Sequence, residues 1–239
     1  MRLSMGLSYG GFGRAVERLL GVFFVAAAGA MMAMSGPVSA QTANVADVKP
    51  IKMAVLGDSL TAGYGLPASS AFPVRLQKAL AAKGIATEIH NAGVSGDTTT
   101  GGLARLEWSI PPGTEAVIVE LGANDALRGV DPSVARGALY DILNKLKARN
   151  IAVLLCGMYA PPNYGADYTA KFNRIYPELA EKHKVPLYPF FLDGVATVAK
   201  LTQPDGLHPT AEGVDVVVER ILPTVEAFLK DRAVQLSKP

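Results

Sequence analysis

Short, almost wholly apolar runs alternate along this chain with stretches of helical spacing, and that alternation constrains the fold more than any other feature. Met53–Leu56, Glu88–His90, Ala116–Leu121 and Ile151–Leu155 are strand candidates, with a weaker one at Val185–Tyr188. Leu139, Ile142, Leu143 and Leu146 fall at i, i+3, i+4 and i+7, behind an Asp131-Pro132 helix start and ahead of Lys147, Arg149 and Asn150. Phe72, Leu76, Ala79 and Leu80 mark an earlier helix ending near Gly84, and Val214 to Leu229 forms a last apolar face in which Pro223 should kink or split the helix. Strands apolar on both faces imply a parallel sheet covered by helices on both sides. The expected fold is therefore α/β, a three-layer α/β/α sandwich around a mostly parallel sheet of about five strands.

The first 40 residues stand apart. Arg2, Arg14 and Arg18 precede an uncharged stretch from Leu19 to Met34, and Val38-Ser39-Ala40 is a small-residue exit. This reads as an export signal cleaved after Ala40, the competing reading being a retained anchor. Its removal takes away Arg2, Arg14, Arg18 and Glu17, so 23 basic and 21 acidic residues become 20 of each. A neutral mature chain carries no basic footprint for nucleic acid or for a membrane surface. The expected organisation is residues 1–40 as signal, 41–50 as a flexible leader, 51–231 as one domain and 232–239 as a tail. The expected product is a periplasmic or secreted monomer with no stable membrane insertion. Cys156 is the single cysteine, so no intrachain disulfide forms, and its apolar neighbours make it a core residue.

Chemistry concentrates where strands end. Ser59, in Gly57-Asp58-Ser59-Leu60, follows the first strand; Gly93 follows the second; Asn124, in Gly122-Ala123-Asn124-Asp125, follows the third. In open parallel sheets the site lies beyond the carboxyl ends of the strands. Serine needs an adjacent base to act as a nucleophile. Of three histidines, His183 sits in a charged helix end and should be solvated, and His90 sits in a strand and should be packed or hydrogen-bonded. His208 alone has a carboxylate close by, in Asp205-Gly206-Leu207-His208-Pro209. Asp205 can orient one ring nitrogen while the other faces Ser59. Gly93 and Asn124 can offer donors to a developing oxyanion. Each piece alone has an ordinary explanation, a capping serine or an Asx turn; their order is the signal.

Other chemistries fit poorly. Metal-ligand spacing and a phosphate loop are missing, so metal and phosphate-loop readings fit poorly. Gly63-x-Gly65-x-x-Ala68 begins too far past the strand for a dinucleotide fingerprint. Leu60-Thr61 after Ser59 breaks the G-x-S-x-G elbow of α/β-hydrolases.

The four blocks, with Gly93 inside Asn91–Asp97, resemble those of the SGNH (GDSL-type) hydrolase family over about residues 51–230. Ser95–Thr98, Gly102–Leu106, Asn124–Gly129, Pro162–Gly165, Phe172–Leu179 and Pro186–Phe191 are similar to its bacterial periplasmic thioesterase, lysophospholipase and arylesterase branch. Ala123 departs from the glycine common there. The resemblance implies the flavodoxin-like fold of that family, Ser59 as nucleophile, His208 as base and Asp205 as its orienter. It also implies an oxyanion hole from the Ser59 N–H, the Gly93 N–H and the Asn124 side chain, with no cofactor. The expected reaction is hydrolysis of small-molecule acyl esters and thioesters. Leu60, Met158, Tyr159, Tyr164, Phe190 and Leu207 are candidates to line an apolar acyl slot. A carbohydrate O-acetylesterase, or a non-catalytic periplasmic binding module, would use the same scaffold.

Overall fold

The five strands of the computed structural model, which describes residues 49–236, pair in parallel in the order β2-β1-β3-β4-β5. They are β1 (Ile51–Gly57), β2 (Thr87–Gly93), β3 (Ala116–Glu120), β4 (Ala152–Cys156) and β5 (Leu187–Tyr188). The first 40 residues, read above as an export signal, lie outside the described residues. Among those described, no helix is long and apolar enough to cross a membrane.

Among the described residues eight α-helices surround the sheet: α1 (Ser59–Ala62), α2 (Phe72–Ala82), α3 (Thr99–Ser109), α4 (Ala123–Leu127), α5 (Pro132–Ala148), α6 (Ala166–Asn173), α7 (Ile175–His183) and α8 (Ala211–Leu236). One layer packs α2 on α8, and the other joins α3, α5, α6 and α7. The central strands β1 and β3 are buried on both faces, which is why their sequences are runs of Val, Leu, Ile and Ala without alternation.

Helix α5 follows its sequence signals. Asp131 caps it by accepting from the Ser133 N–H at 2.8 Å, Pro132 occupies the first turn, and Leu139, Ile142, Leu143 and Leu146 are fully buried. Each such side chain contributes about 1.5–3 kcal/mol by leaving water.

Local expectations on the last helix, His90 and His183 are corrected. Pro223 does not split α8: it sits on the exposed face, and the carbonyl left without a donor belongs to exposed Glu219, while Ile221 and Val225 stay buried beside it. The same helix runs past residue 231 to Leu236. His90 is exposed, because β2 is the edge strand and turns that side chain outward. His183 is only partly exposed, its ring set edge-on to Tyr140 at 5.0 Å between centroids. Burial, then Lys147 and Lys182, push its imidazole below the ordinary range.

Sheet order reverses direction between β1 and β3, since the chain leaves β1 for β2 on one side and crosses to β3 on the other. Such a switch point opens a crevice at the carboxyl ends of the strands. Residues following β1 and β3 therefore flank one cleft.

Candidate active site

Ser59 is the first residue of α1, set there by a tight strand-to-helix turn. Asp58, not Ser59, is the helix cap: its buried carboxylate accepts from the Leu60 N–H at 2.9 Å. The serine hydroxyl is thereby left free for other partners. Gly57 and Gly93 permit the close packing around this turn, since a Cβ on Gly57 would meet Thr61 Oγ1 at 2.2 Å and one on Gly93 would meet the Ala62 backbone nitrogen at 2.6 Å.

His208 arrives from a hairpin-like loop between Thr202 and Pro209, closed by the Gln203 N–H donating to the His208 carbonyl at 2.7 Å. Its Nε2 lies 2.8 Å from Ser59 Oγ, and its Nδ1 lies 2.7 Å from Asp205 Oδ2. The other Asp205 oxygen accepts from the backbone N–H groups of His208 and Leu207 at 3.0 and 2.9 Å. Those hydrogen bonds, the His208 N–H first, lower the Asp205 carboxyl to about 2. Asp205 is therefore an anion throughout the neutral range, and it fixes ring orientation from one side while Ser59 takes the other.

Asn124 stands in the first turn of α4, directly after β3, and its amide reaches across the cleft. Nδ2 donates to the Asp97 carbonyl at 2.9 Å and to Asp58 Oδ2 at 3.2 Å. Beneath it, the buried Arg105 guanidinium ties the surrounding loops together. It donates to the carbonyls of Ala92 and Gly57 at 2.7 and 2.8 Å and pairs with Asp97.

The Gly93 N–H does not face the cleft: it donates to Asn91 Oδ1 at 3.0 Å, and β2 runs on through this residue. The turn that follows carries Gly96 in a left-handed conformation, φ 87°, next to the Asp97 carbonyl that holds Asn124. Among the described residues the Gly96 N–H donates to no backbone or side-chain acceptor.

Two carboxyls are buried under the nucleophile. Burial raises Asp58 to about 6, against the lowering effects of the Leu60 N–H and the Asn124 amide. Burial also holds Glu120 well above the ordinary carboxylate range, with the Asp58 charge adding to it. Glu120 Oε1 has no hydrogen-bond partner, and Oε2 receives only the Asp58 N–H at 3.5 Å. Cys156 is buried at the end of β4, its thiol pushed up by desolvation; it is a core residue.

Beside Ser59, Asn124 and His208 opens a mainly apolar cavity of about 420 Å³. Leu60, Met158, Tyr159, Phe190 and Leu207 line it. Tyr164 does not: its hydroxyl donates to the Leu127 carbonyl at 2.8 Å and its ring packs on Gly129 and Tyr168. Ala123, Leu127, Ala160, Leu192 and Ala196 add to the wall. Small apolar residues carry no chemical signature in a sequence, so only the fold brings them forward. A larger cavity of about 520 Å³ lies at the other end of β4, lined by residues such as Leu143, Lys147 and His183; it touches none of the Ser59 group. Among the described residues no cluster of three His, Cys, Asp or Glu side chains could hold a metal ion.

A doubly wound α/β/α sheet with a Ser–His–Asp relay on its carboxyl edge defines a class of serine-dependent acyl hydrolases. Residues 55–216 match the GDSL-like lipase/acylhydrolase family, and the chain belongs to it. It is 41% identical over 176 residues to esterase TesA of Pseudomonas aeruginosa, covering 73% of this chain and 88% of that one. It is 41% identical over 166 residues to thioesterase 1/protease 1/lysophospholipase L1 of Escherichia coli, covering 69% and 78%. Among solved structures, AlinE4, an SGNH-hydrolase family esterase, superposes with a TM-score of 0.64 at 48% identity, covering 75% of this chain and 97% of that one.

Proposed function

We propose that this protein hydrolyses carboxylic esters and thioesters of apolar acyl groups (aryl esters, acyl thioesters, lysophospholipids) through an acyl-enzyme on Ser59. The 2.8 Å contact between His208 Nε2 and Ser59 Oγ, backed by Asp205 at 2.7 Å, carries this reading. Nε2 takes the hydroxyl proton as Oγ attacks the acyl carbon, and the carbonyl electron pair moves onto its oxygen. Collapse of that intermediate expels the alkoxide or thiolate, which receives the proton from the imidazolium. A water molecule, deprotonated by the same nitrogen, then releases the acid and restores Ser59.

The oxyanion is stabilised by the Ser59 N–H at the start of α1, by Asn124 Nδ2 and by the Gly96 N–H, which replaces Gly93 in this role. Asn124 exchanges its longer contact, to Asp58 at 3.2 Å, for the substrate oxygen and keeps the Asp97 carbonyl at 2.9 Å as its anchor. The apolar cavity receives the acyl chain. The proposal extends to location: with residues 1–40 removed after Ala40, the enzyme works as a monomer in the periplasm or outside the cell.

Ser59→Ala and His208→Ala should each lower turnover of p-nitrophenyl and acyl-thioester substrates by about 10⁶-fold, following serine-hydrolase precedent. Undiminished hydrolysis by a folded Ser59→Ala variant overturns the proposal.

A further inference from the structure

We propose that Tyr64 is a positioning residue for the base, its ring stabilising the imidazolium that His208 becomes during each acyl transfer. The two ring centroids lie 4.6 Å apart with planes tilted by 39°. A cation within about 6 Å of a tyrosine ring centroid is attracted by its negative face. Tyr64 is otherwise 53% exposed, so the hydrophobic core does not explain its place.

The contact is built rather than incidental. Gly63 and Gly65 flank Tyr64 with φ of 85° and 71°, a left-handed pair that folds the loop back toward the base. This is the glycine pair whose spacing only formally resembled a dinucleotide motif. Gln203 then joins the two loops: its Nε2 donates to the Tyr64 carbonyl at 2.8 Å and to the Pro209 carbonyl at 2.9 Å. A Cβ at residue 65 would lie 2.4 Å from Gln203 Oε1, so the clasp needs glycine there. The Tyr64 main chain is thus tied to the residue following His208.

The ring works alongside the charges that already face His208. Asp205 lies against Nδ1 from its own loop, and the Asp58 carboxylate acts on it through space from the end of β1. The Tyr64 ring meets the same imidazole, 4.6 Å away between centroids.

The inference rests on Ser59 and His208 acting as nucleophile and base, so its test uses relative pH profiles of active enzymes. Tyr64→Phe keeps the face and should retain kcat within about threefold, with the acid limb of kcat/KM unmoved. Tyr64→Leu keeps apolar cover but removes the face. It should lower kcat by roughly 3- to 20-fold, leave KM within about twofold and move the acid limb to lower pH by about 0.5–1 unit. An acid limb unmoved in Tyr64→Leu, or moved equally in Tyr64→Phe, overturns the proposal. Unchanged thermal melting of both variants separates these outcomes from a folding defect. If the wild-type enzyme forms no adduct on Ser59, the catalytic reading fails instead.

Discussion

Asn124 turns its amide onto the buried carboxylate of Asp58, 66 residues earlier, at 3.2 Å. The residue that caps the nucleophile helix therefore also braces the side chain across the cleft. Asp58 Oδ1 orders the Leu60 N–H while Oδ2 steadies Asn124 in the resting site, so the turn carrying Ser59 also positions the proposed oxyanion donor. The shorter bond to the Asp97 carbonyl holds the amide in place when the Asp58 contact is given up to the substrate, so little rearrangement is needed as charge develops.

Asn124→Ala should lower kcat about 10²–10³-fold with a small change in KM, because its amide acts on charge present only in the transition state. Steady-state kinetics on a p-nitrophenyl ester, with circular dichroism to verify the fold, provides the check. Full activity in the folded variant removes Asn124 from the hole.

Glu120→Gln should stabilise the protein, and more at pH 8 than at pH 4. Burial raises the Glu120 carboxyl in the folded state, so folding takes up a proton between the unfolded value and the higher folded one. Stability from the protonated form is fully present below the unfolded value and declines as pH rises through the folded one. Glutamine removes that loss while keeping an acceptor for the Asp58 N–H. Thermal melts at the two pH values measure the difference; an equal gain at both contradicts it.

Arg105→Ala should destabilise the fold by about 3–5 kcal/mol, the usual cost of removing one member of a buried ion pair. Asp97 loses its partner, and the Gly57 and Ala92 carbonyls lose their donors. Urea denaturation reads this directly. A loss under 1 kcal/mol would show that water replaces the guanidinium.

Ala196→Phe should narrow the acyl cavity, in which Ala196 faces the same space as Met158 and Phe190. The ratio of kcat/KM for decanoate over acetate p-nitrophenyl esters should exceed one in the wild type and fall severalfold in the variant. A wild-type preference for acetate instead favours an O-acetylesterase.

Much of this was legible in the sequence because strand ends and site residues coincide. Runs such as Ala116–Leu121 are apolar on both faces only when a sheet is covered twice, and that covering forces Ser59 and Asn124 to one edge. The Asp205–His208 spacing announced its own turn. The proposed move of the donor glycine from Gly93 to Gly96 turns on where β2 ends, and strand ends are poorly marked by local residues. His90 was misread because nothing in its neighbours says that β2 is an edge. Tyr164 was misread because an aromatic beside a site loop looks the same whether it faces substrate or bonds a helix end, as its hydroxyl does at Leu127. Tyr64 left no chemical signature at all: its role depends on Gln203, 139 residues away.

Mass mapping of the adduct formed with a fluorophosphonate tests the central claim most directly. One adduct per chain is expected, on Ser59, with none on Ser59→Ala and much slower labelling of His208→Ala. An adduct on another residue, or equal labelling of Ser59→Ala, contradicts the assignment of Ser59 as the nucleophile.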